Sequence, residues 1–473
     1  MFDLLRYGCI EGEKIGADFC ELRFDDLSLR TMIKENEQIK EINLIKRCGI
    51  GISTYFKGVV GYSYTAELTQ KALREAVKRS FGIAKASSRI AKLKLELDEQ
   101  RPSKSAKEEM KFRKHPSELS LLEKKEMLDR ITSSAKENGK RISSVIGLYG
   151  ELFGEKMFTN SEGTELSWKT SVVDLRVNVT SKDKAGNLVD EGDGIGGSFG
   201  IEKFEENSYT PERLGENAAH WASEKLKAKS APVGEFKALC ENILVGVLAH
   251  ESFGHLSEAD FILTNSSPLV GKIGERIGSE VVTIVDEGVC DSKYQGFYLP
   301  FDDQGVRTEK TVIMENGVLR TYLHTRSTAK LLKGKATGNA RAINFTFAPI
   351  PRMKNTYIQP GDLTEEEALE ELHEGIYAIR TAGGQANMDG SFLFKARRGY
   401  WIEDGEIKYP LKDVALTGNI LEFMGNVEGA TRDLEIQSGY FGGCGKGGQF
   451  PLPVGLGGPK LLVSKVRFGG ESA

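Results

Sequence analysis

Leu248-Ala249-His250-Glu251-Ser252-Phe253-Gly254-His255 places two histidines around a glutamate inside what otherwise reads as a buried helix. Two imidazoles can hold a zinc ion, and a carboxylate beside one of them can deprotonate a water bound to that ion. The leading reading from these residues is a hydrolase, and within that class a peptidase. The spacing is unusual. On a regular helix HExxH advances by about 400° and puts both rings on one face, whereas HExxxH advances by about 500° and leaves them about 140° apart. Reaching one ion from both rings demands a π-turn, or a helix broken between the histidines. Gly254, directly before His255, allows either distortion. Irregular backbone is therefore predicted near residues 252–256.

The competing account is a pair of structural histidines in a core helix. A lone histidine is usually that. Here two of six histidines lie five apart around a glutamate on an apolar helix, and burying all three groups without a metal or partners is costly. A third ligand is needed. Glu258 and Asp260 are near in sequence and chemically acceptable. Cys240 precedes His250 by ten residues, about 15 Å along a continuous helix, which is too far to share an ion. Cys444 sits in Gly442-Gly443-Cys444-Gly445-Lys446-Gly447-Gly448-Gln449, where glycines let a backbone approach closely and Lys446 favours a thiolate. Taken alone, an inert thiol in a turn is the simpler account of Cys444.

Outward from this helix the chain is rich in strands. From about Pro232 one strand leads into the histidine-bearing helix, and strands are expected over 281–286, 311–314, 318–323, 341–348, 355–358, 399–403 and 461–468. Asn316-Gly317 is a hairpin signal, and one helix fits 365–380. Upstream, short strands are expected at 18–24, 27–33, 37–44, 47–55 and 58–64, separated by turn residues such as Asp25-Asp26 and Lys57-Gly58. Helices fit 3–15 and 67–85, the latter with Leu73, Val77, Phe81 and Ala84 on one face. Ser120 and Glu123 form a capping box that opens a helix ending at Gly139. Strands return over 141–200, followed by a helix over 211–227. The expected fold class is α+β, with N-terminal mixed sheet and helix layers followed by a strand-rich, mostly antiparallel sheet or barrel-like C-terminal domain. The expected divisions are an N-terminal domain 1–90, a charged connection 91–116 containing Pro102 and Pro116, a middle domain 117–230 and a metal-binding domain 231–473.

A chain of 473 residues exceeds one typical core. With 39% apolar and 28% charged residues it reads as a folded protein. The net charge of −4, from 64 basic and 68 acidic residues, gives no support for a nucleic-acid or anionic-membrane binder. The N-terminus has no signal-peptide layout, and the apolar stretch Ile243 to Ala249 is too short to cross a bilayer. Six cysteines lie far apart with no CxxC pair, so a reducing cytoplasm is expected. Two runs fit GxGxxG, Gly192-Asp193-Gly194-Ile195-Gly196-Gly197 and Gly443-Cys444-Gly445-Lys446-Gly447-Gly448. Neither precedes an evident helix, as a dinucleotide site requires, and Gly447 stands where a phosphate loop needs Ser or Thr. Both read as flexible glycine loops.

Taken together these residues resemble the TldD/TldE (PmbA) metalloprotease family, on its TldD side. The stretch from His250 to Asp260 is similar to that family's HExxxH segment. Asp302-Asp303-Gln304-Gly305, Glu315-Asn316-Gly317-Val318-Leu319, Tyr322-Leu323-His324, Thr337-Gly338-Asn339, Pro351-Arg352-Met353-Lys354-Asn355-Thr356-Tyr357 and Cys444-Gly445-Lys446-Gly447-Gly448-Gln449 are similar in the same order. The resemblance implies that His250, His255 and Cys444 bind one catalytic Zn2+ per chain and that Glu251 is the general base. It also implies a peptidase acting on unfolded peptides in an enclosed cavity between two subunits, the chain pairing with a TldE-like subunit or with itself. His324 and Tyr322 are candidate oxyanion donors, with a structural role equally open. Two rivals stand against this reading: a metal-free peptide-binding or assembly scaffold, and a Cys444-dependent hydrolase.

Overall fold

The computed structural model describes residues 1–97 and 104–469. Pro102 and the rest of 98–103, within the expected charged connection, lie outside the described residues, as do 470–473. The chain is α+β, 24% helix and 42% strand.

One mostly antiparallel sheet carries the N-terminal half. Its order is Val59–Thr65, Gln38–Phe56, Phe19–Glu35, Ile142–Asn160, Glu165–Lys182 and Ser105–Glu108, with Leu188–Gly197 also paired to Glu165–Lys182. The four short strands expected between 18 and 55 are two long ones. Asp25 and Asp26 do not turn; Asp25 pairs in register with Gly49 and Lys156. It is fully buried, with Lys156 Nζ at 3.7 Å. Adjacent acids look like a turn when the cation that offsets them lies far along the chain. Helices Phe2–Lys14 and Gln70–Ser87 pack through Leu5, Leu73 and Val77 against Leu22 and Ile52. Leu121–Asn138, opened by the Ser120–Glu123 capping box, and Pro211–Lys225 pack through Leu128, Ile131, Leu214 and Ala218 against Val145 and Leu175.

In the C-terminal half five strands close a barrel. They run Gly375–Ala386, Gly234–Cys240, Leu461–Phe468, Ala415–Asn419 and Ser391–Glu403, and the last pairs back to the first. Beside it lies a six-stranded sheet ordered Val318–Leu319, Thr311–Glu315, Ile284–Glu287, Asn355–Ile358, Gly455–Gly458 and Glu435–Gln437. The Asn316-Gly317 hairpin forms, with φ of 47° and 77°.

Four local expectations are corrected. The helix expected over 365–380 stops at Leu372, where His373 takes φ 54°. The following residues join the barrel, because Ile376–Ala378 find partners in both Ala238–Cys240 and the strand Ser391–Glu403. The strand expected over 341–348 is reduced to Ala340–Arg341. Its remainder reaches the N-terminal sheet, where Arg23 Nη2 donates to the carbonyls of Asn344 and Phe347 at 3.1 and 2.8 Å. The glycine run 192–197 is not a loop but lies in the strand Leu188–Gly197. The run 443–448 builds a tight hairpin, Cys444–Lys446 against Gln449–Leu452, turning on Gly447 and Gly448 at φ 57° and 74°. The two halves are also joined by a buried cluster in which Asp303 accepts a hydrogen bond from Lys156 Nζ at 2.6 Å and forms an ion pair with Arg23, whose Nη1 lies 3.1 Å away.

Candidate metal centre

The histidine-bearing helix leaves the barrel strand Gly234–Cys240 directly. Glu241 caps it, accepting the N–H groups of Ile243 and Leu244. Leu244, Val245, Leu248, Ala249 and Phe253 are buried in the C-terminal core, which explains the apolar sequence around two polar rings. Asn242–Val247 is α-helical and Leu248–Gly254 is π-helical, and the His255 N–H donates to the His250 carbonyl five residues back. A five-residue step then amounts to about one turn. The rings lie with centroids 5.5 Å apart. The departure from α geometry begins before the stretch 252–256 and is a π-turn rather than a break. Gly254 serves space rather than conformation, since a Cβ there would run into Met353 Sδ.

The structure brings His250, His255 and Cys444 together, their donor atoms all within 4.8 Å of one another. Cys444 Sγ lies 3.2 Å from His255 Nε2. His250 is fully buried and neither ring nitrogen has a hydrogen-bond partner among the described residues. Such an arrangement is costly unless something engages the ring. Two imidazoles and a thiolate are donors suited to zinc rather than to the hard oxygen-seeking cations. Burial alone would push the Cys444 thiol up, but His250 and His255 outweigh it and bring it down to about 5. The two rings, rather than Lys446, lead that shift. Gly442 at φ 98° and Gly443 at φ 132° deliver the cysteine to the rings.

Behind His255 lies a second layer. Its Nδ1 is 2.8 Å from Glu258 Oε2. Glu258 is fully buried, and Lys446 Nζ sits 3.0 Å from the same oxygen and 2.7 Å from Asp260 Oδ1. Burial opposes charge on Glu258, but His255 and Lys446 more than offset it and hold the carboxyl below its ordinary range. Glu258 and Asp260, candidate third ligands in the sequence, therefore stand outside the triangle. A carboxylate on the far nitrogen fixes the tautomer that leaves Nε2 free to ligate. Cys240, buried on its strand, is not part of the group.

Glu251 and His250 line a cleft of about 330 Å3. Thr381, Gly383 and Gly384 form one part of its wall, and Ser438, Gly439, Gly442 and Gly443 another. Arg176 enters it from the N-terminal sheet, which no local sequence signal announced. Tyr322 and His324 do not line it; Tyr322 Oη donates to the Leu269 carbonyl at 2.6 Å. A larger cavity of about 740 Å3, lined by Phe112, His115, Phe153 and Lys169, contains none of the three donors.

The π-turn helix carries a donor triangle that could hold a metal ion, and comparison with known proteins defines the chain as a metalloprotease. Family models of PmbA/TldA metallopeptidase domain 1, central domain and C-terminal domain match residues 20–84, 114–226 and 233–470. The chain belongs to the PmbA/TldA metallopeptidase family, on its TldD-like side. It is 34% identical to a metalloprotease of Methanocaldococcus jannaschii over 93% of this chain and 95% of that one. It is 28% identical to a zinc metalloprotease TldD homolog of Saccharolobus solfataricus, covering 97% and 98% of the two chains. The solved structure of TldE from Thermococcus kodakarensis shares the fold, with TM-score 0.78 and 18% identity over 99% of this chain and 100% of that one.

Proposed function

We propose that the chain is a zinc-dependent peptidase that hydrolyses unfolded peptides, with His250, His255 and Cys444 holding one Zn2+ per chain and Glu251 acting as general base. The observation that carries this reading is the buried donor triangle, above all a fully buried His250 whose ring nitrogens meet no geometric hydrogen-bond partner among the described residues. A bound zinc ion supplies Lewis acidity toward the scissile carbonyl and toward a water. Glu251, partly exposed on the cleft side of the helix, takes the water proton on its carboxylate and returns it to the leaving amine. His255 is held in one tautomer by Glu258 at 2.8 Å. The strand Gly375–Ala386 pairs with Gly234–Cys240 only through Ile376–Ala378. Its bulged continuation through Thr381, Gly383 and Gly384 lines the cleft, paired with Ser391–Glu403 on one side and with no strand on the other among the described residues. An extended peptide bonding main chain to main chain there is read with broad sequence tolerance.

The Cys444-dependent alternative draws support from the lowered thiol pKa. Against it, Cys444 is only 1% exposed and does not line the cleft. We propose a dimer with a TldE-like subunit or with itself; the first part of strand Gln38–Phe56 is paired on one edge with Phe19–Glu35 but extends beyond the pairing with Val59–Thr65, exposes Ile42, Leu44 and Ile45, and offers a surface for it. No described helix is long and apolar enough to cross a membrane, and all six cysteines are free, which supports a cytoplasmic setting.

The test is metal analysis with peptide cleavage by wild type, His250→Ala and Glu251→Gln. Chelation is expected to abolish cleavage. His250→Ala is expected to lose metal and activity, and Glu251→Gln to keep the metal and lose activity. A metal-free protein that still cleaves peptides overturns the reading.

A further inference from the structure

We propose that Arg176 forms a carboxylate-binding subsite in the cleft, so that the enzyme favours peptides with a carboxylate near the scissile bond, at the C-terminus or on an acidic side chain. The inference rests on the peptidase reading above and names its substrate class. Arg176 stands on Glu165–Lys182 of the N-terminal sheet, yet lines the same cleft as His250 and Glu251. Among the described residues lining that cleft it is the one cationic side chain.

Its orientation is built. Nε donates to Asp174 Oδ1 at 2.7 Å. Asp174 is fully buried, and its other oxygen accepts the N–H groups of Tyr440 and Phe441 at 3.0 and 3.1 Å. These residues lie in the wall that runs on to Cys444. The anchored edge of the guanidinium is thereby occupied, while no described residue accepts from either Nη. The side chain remains 40% exposed. A guanidinium edge of this kind matches a carboxylate with two parallel hydrogen bonds.

Three glycines make the room. A Cβ at Gly194 would come 2.5 Å from Arg176 Cγ, one at Gly196 2.8 Å from Asp174 Cγ, and one at Gly439 2.7 Å from Arg176 Nη2. Gly194 and Gly196 belong to the glycine run 192–197 that nucleotide binding does not explain. Neither adopts a left-handed φ, so the absence of a side chain, not backbone freedom, is what the site uses. A clasp between the two halves accounts for the bonds of Asp174. It does not account for two donor groups left open on a cleft wall.

The experiment uses four versions of one short peptide, with a free or amidated C-terminus and with Glu or Gln at the preceding position. Wild type, Arg176→Gln and Arg176→Lys are compared by kcat/KM, and binding is measured by calorimetry on Glu251→Gln with and without Arg176→Gln. A carboxylate-bearing peptide is expected to be favoured over the neutral version by about 10- to 100-fold, mainly through KM. The four arms identify which carboxylate is read. Arg176→Gln is expected to bring the ratio close to one, with Arg176→Lys between. Equal kcat/KM for all four peptides in wild type overturns the proposal. So does a ratio that survives Arg176→Gln, or a uniform loss on all four, which is what a clasp alone predicts. If no peptide is cleaved, the peptidase reading fails by itself, and the calorimetric ratio still decides the subsite.

Discussion

Replacing Glu258 with glutamine tests whether the layer behind His255 tunes the metal site. The change is isosteric and removes one charge. Glu258 is fully buried, with His255 Nδ1 at 2.8 Å and Lys446 Nζ at 3.0 Å from the same oxygen. The other oxygen has no partner among the described residues, so the carboxylate is committed to these two groups. Loss of such an outer partner typically lowers metal affinity by about 10- to 100-fold. At fixed free zinc this removes roughly 1.4–2.7 kcal/mol of metal-linked stability. Lys446 retains Asp260 at 2.7 Å and the Pro351 carbonyl at 2.9 Å, which keeps its charge partnered in the variant. Zinc affinity is read by competition with a chromogenic chelator, and thermal melts of apo and loaded protein separate folding from binding. Glu258→Asp, which keeps charge but shortens reach, is expected to fall between. A Glu258→Gln protein that folds normally without metal and binds zinc within twofold of wild type would refute the reasoning.

Asp303 is expected to dominate the acid limb of stability. Burial pushes its carboxyl up, but Arg23 and Lys156 more than offset this and hold it at about 2. A depressed folded pKa contributes stability that is present above about pH 4 and lost as pH falls toward 2, roughly 2 kcal/mol. Asp303→Asn leaves buried Arg23 without its ion-pair partner and Lys156 with Asp25 alone at 3.7 Å, and is expected to cost about 3 kcal/mol at neutral pH, with a flatter stability profile below pH 4 in denaturant titrations. Gly254→Ala drives a methyl into Met353 Sδ, for an expected loss of about 1–3 kcal/mol. Met353→Ala in the same chain is expected to recover part of it, and strict additivity in the double-mutant cycle would show that the contact is not the cause.

How much was legible in the sequence varies with the range of the interaction. The capping box at Ser120–Glu123, the Asn316-Gly317 turn and the strand Leu461–Phe468 are set by near neighbours. The HExxxH spacing carried more, because elementary helix geometry forbids two rings 140° apart from sharing one ion, about the angle a five-residue step leaves on an α-helix. The π-turn at Leu248–Gly254 resolves that conflict. Misreadings fell where distant partners decide. Asp25 looks like a turn until Lys156 is opposite it, and 375–380 reads as helix until the barrel supplies strands on both sides.

By itself, then, the sequence determined the locally patterned helices and turns, the α+β class, the pair of histidines and the need for a distorted backbone between them. All of these follow from periodicity and spacing within a few turns of chain. Only the tertiary structure decided that Cys444 joins those rings, that Glu258 stands behind His255 rather than beside it, and that Arg176 enters the cleft from the other half of the molecule. The physical reason is that local pattern fixes dihedral preference, while proximity between residues far apart in the chain is set by how buried sheets and a closed barrel pack together.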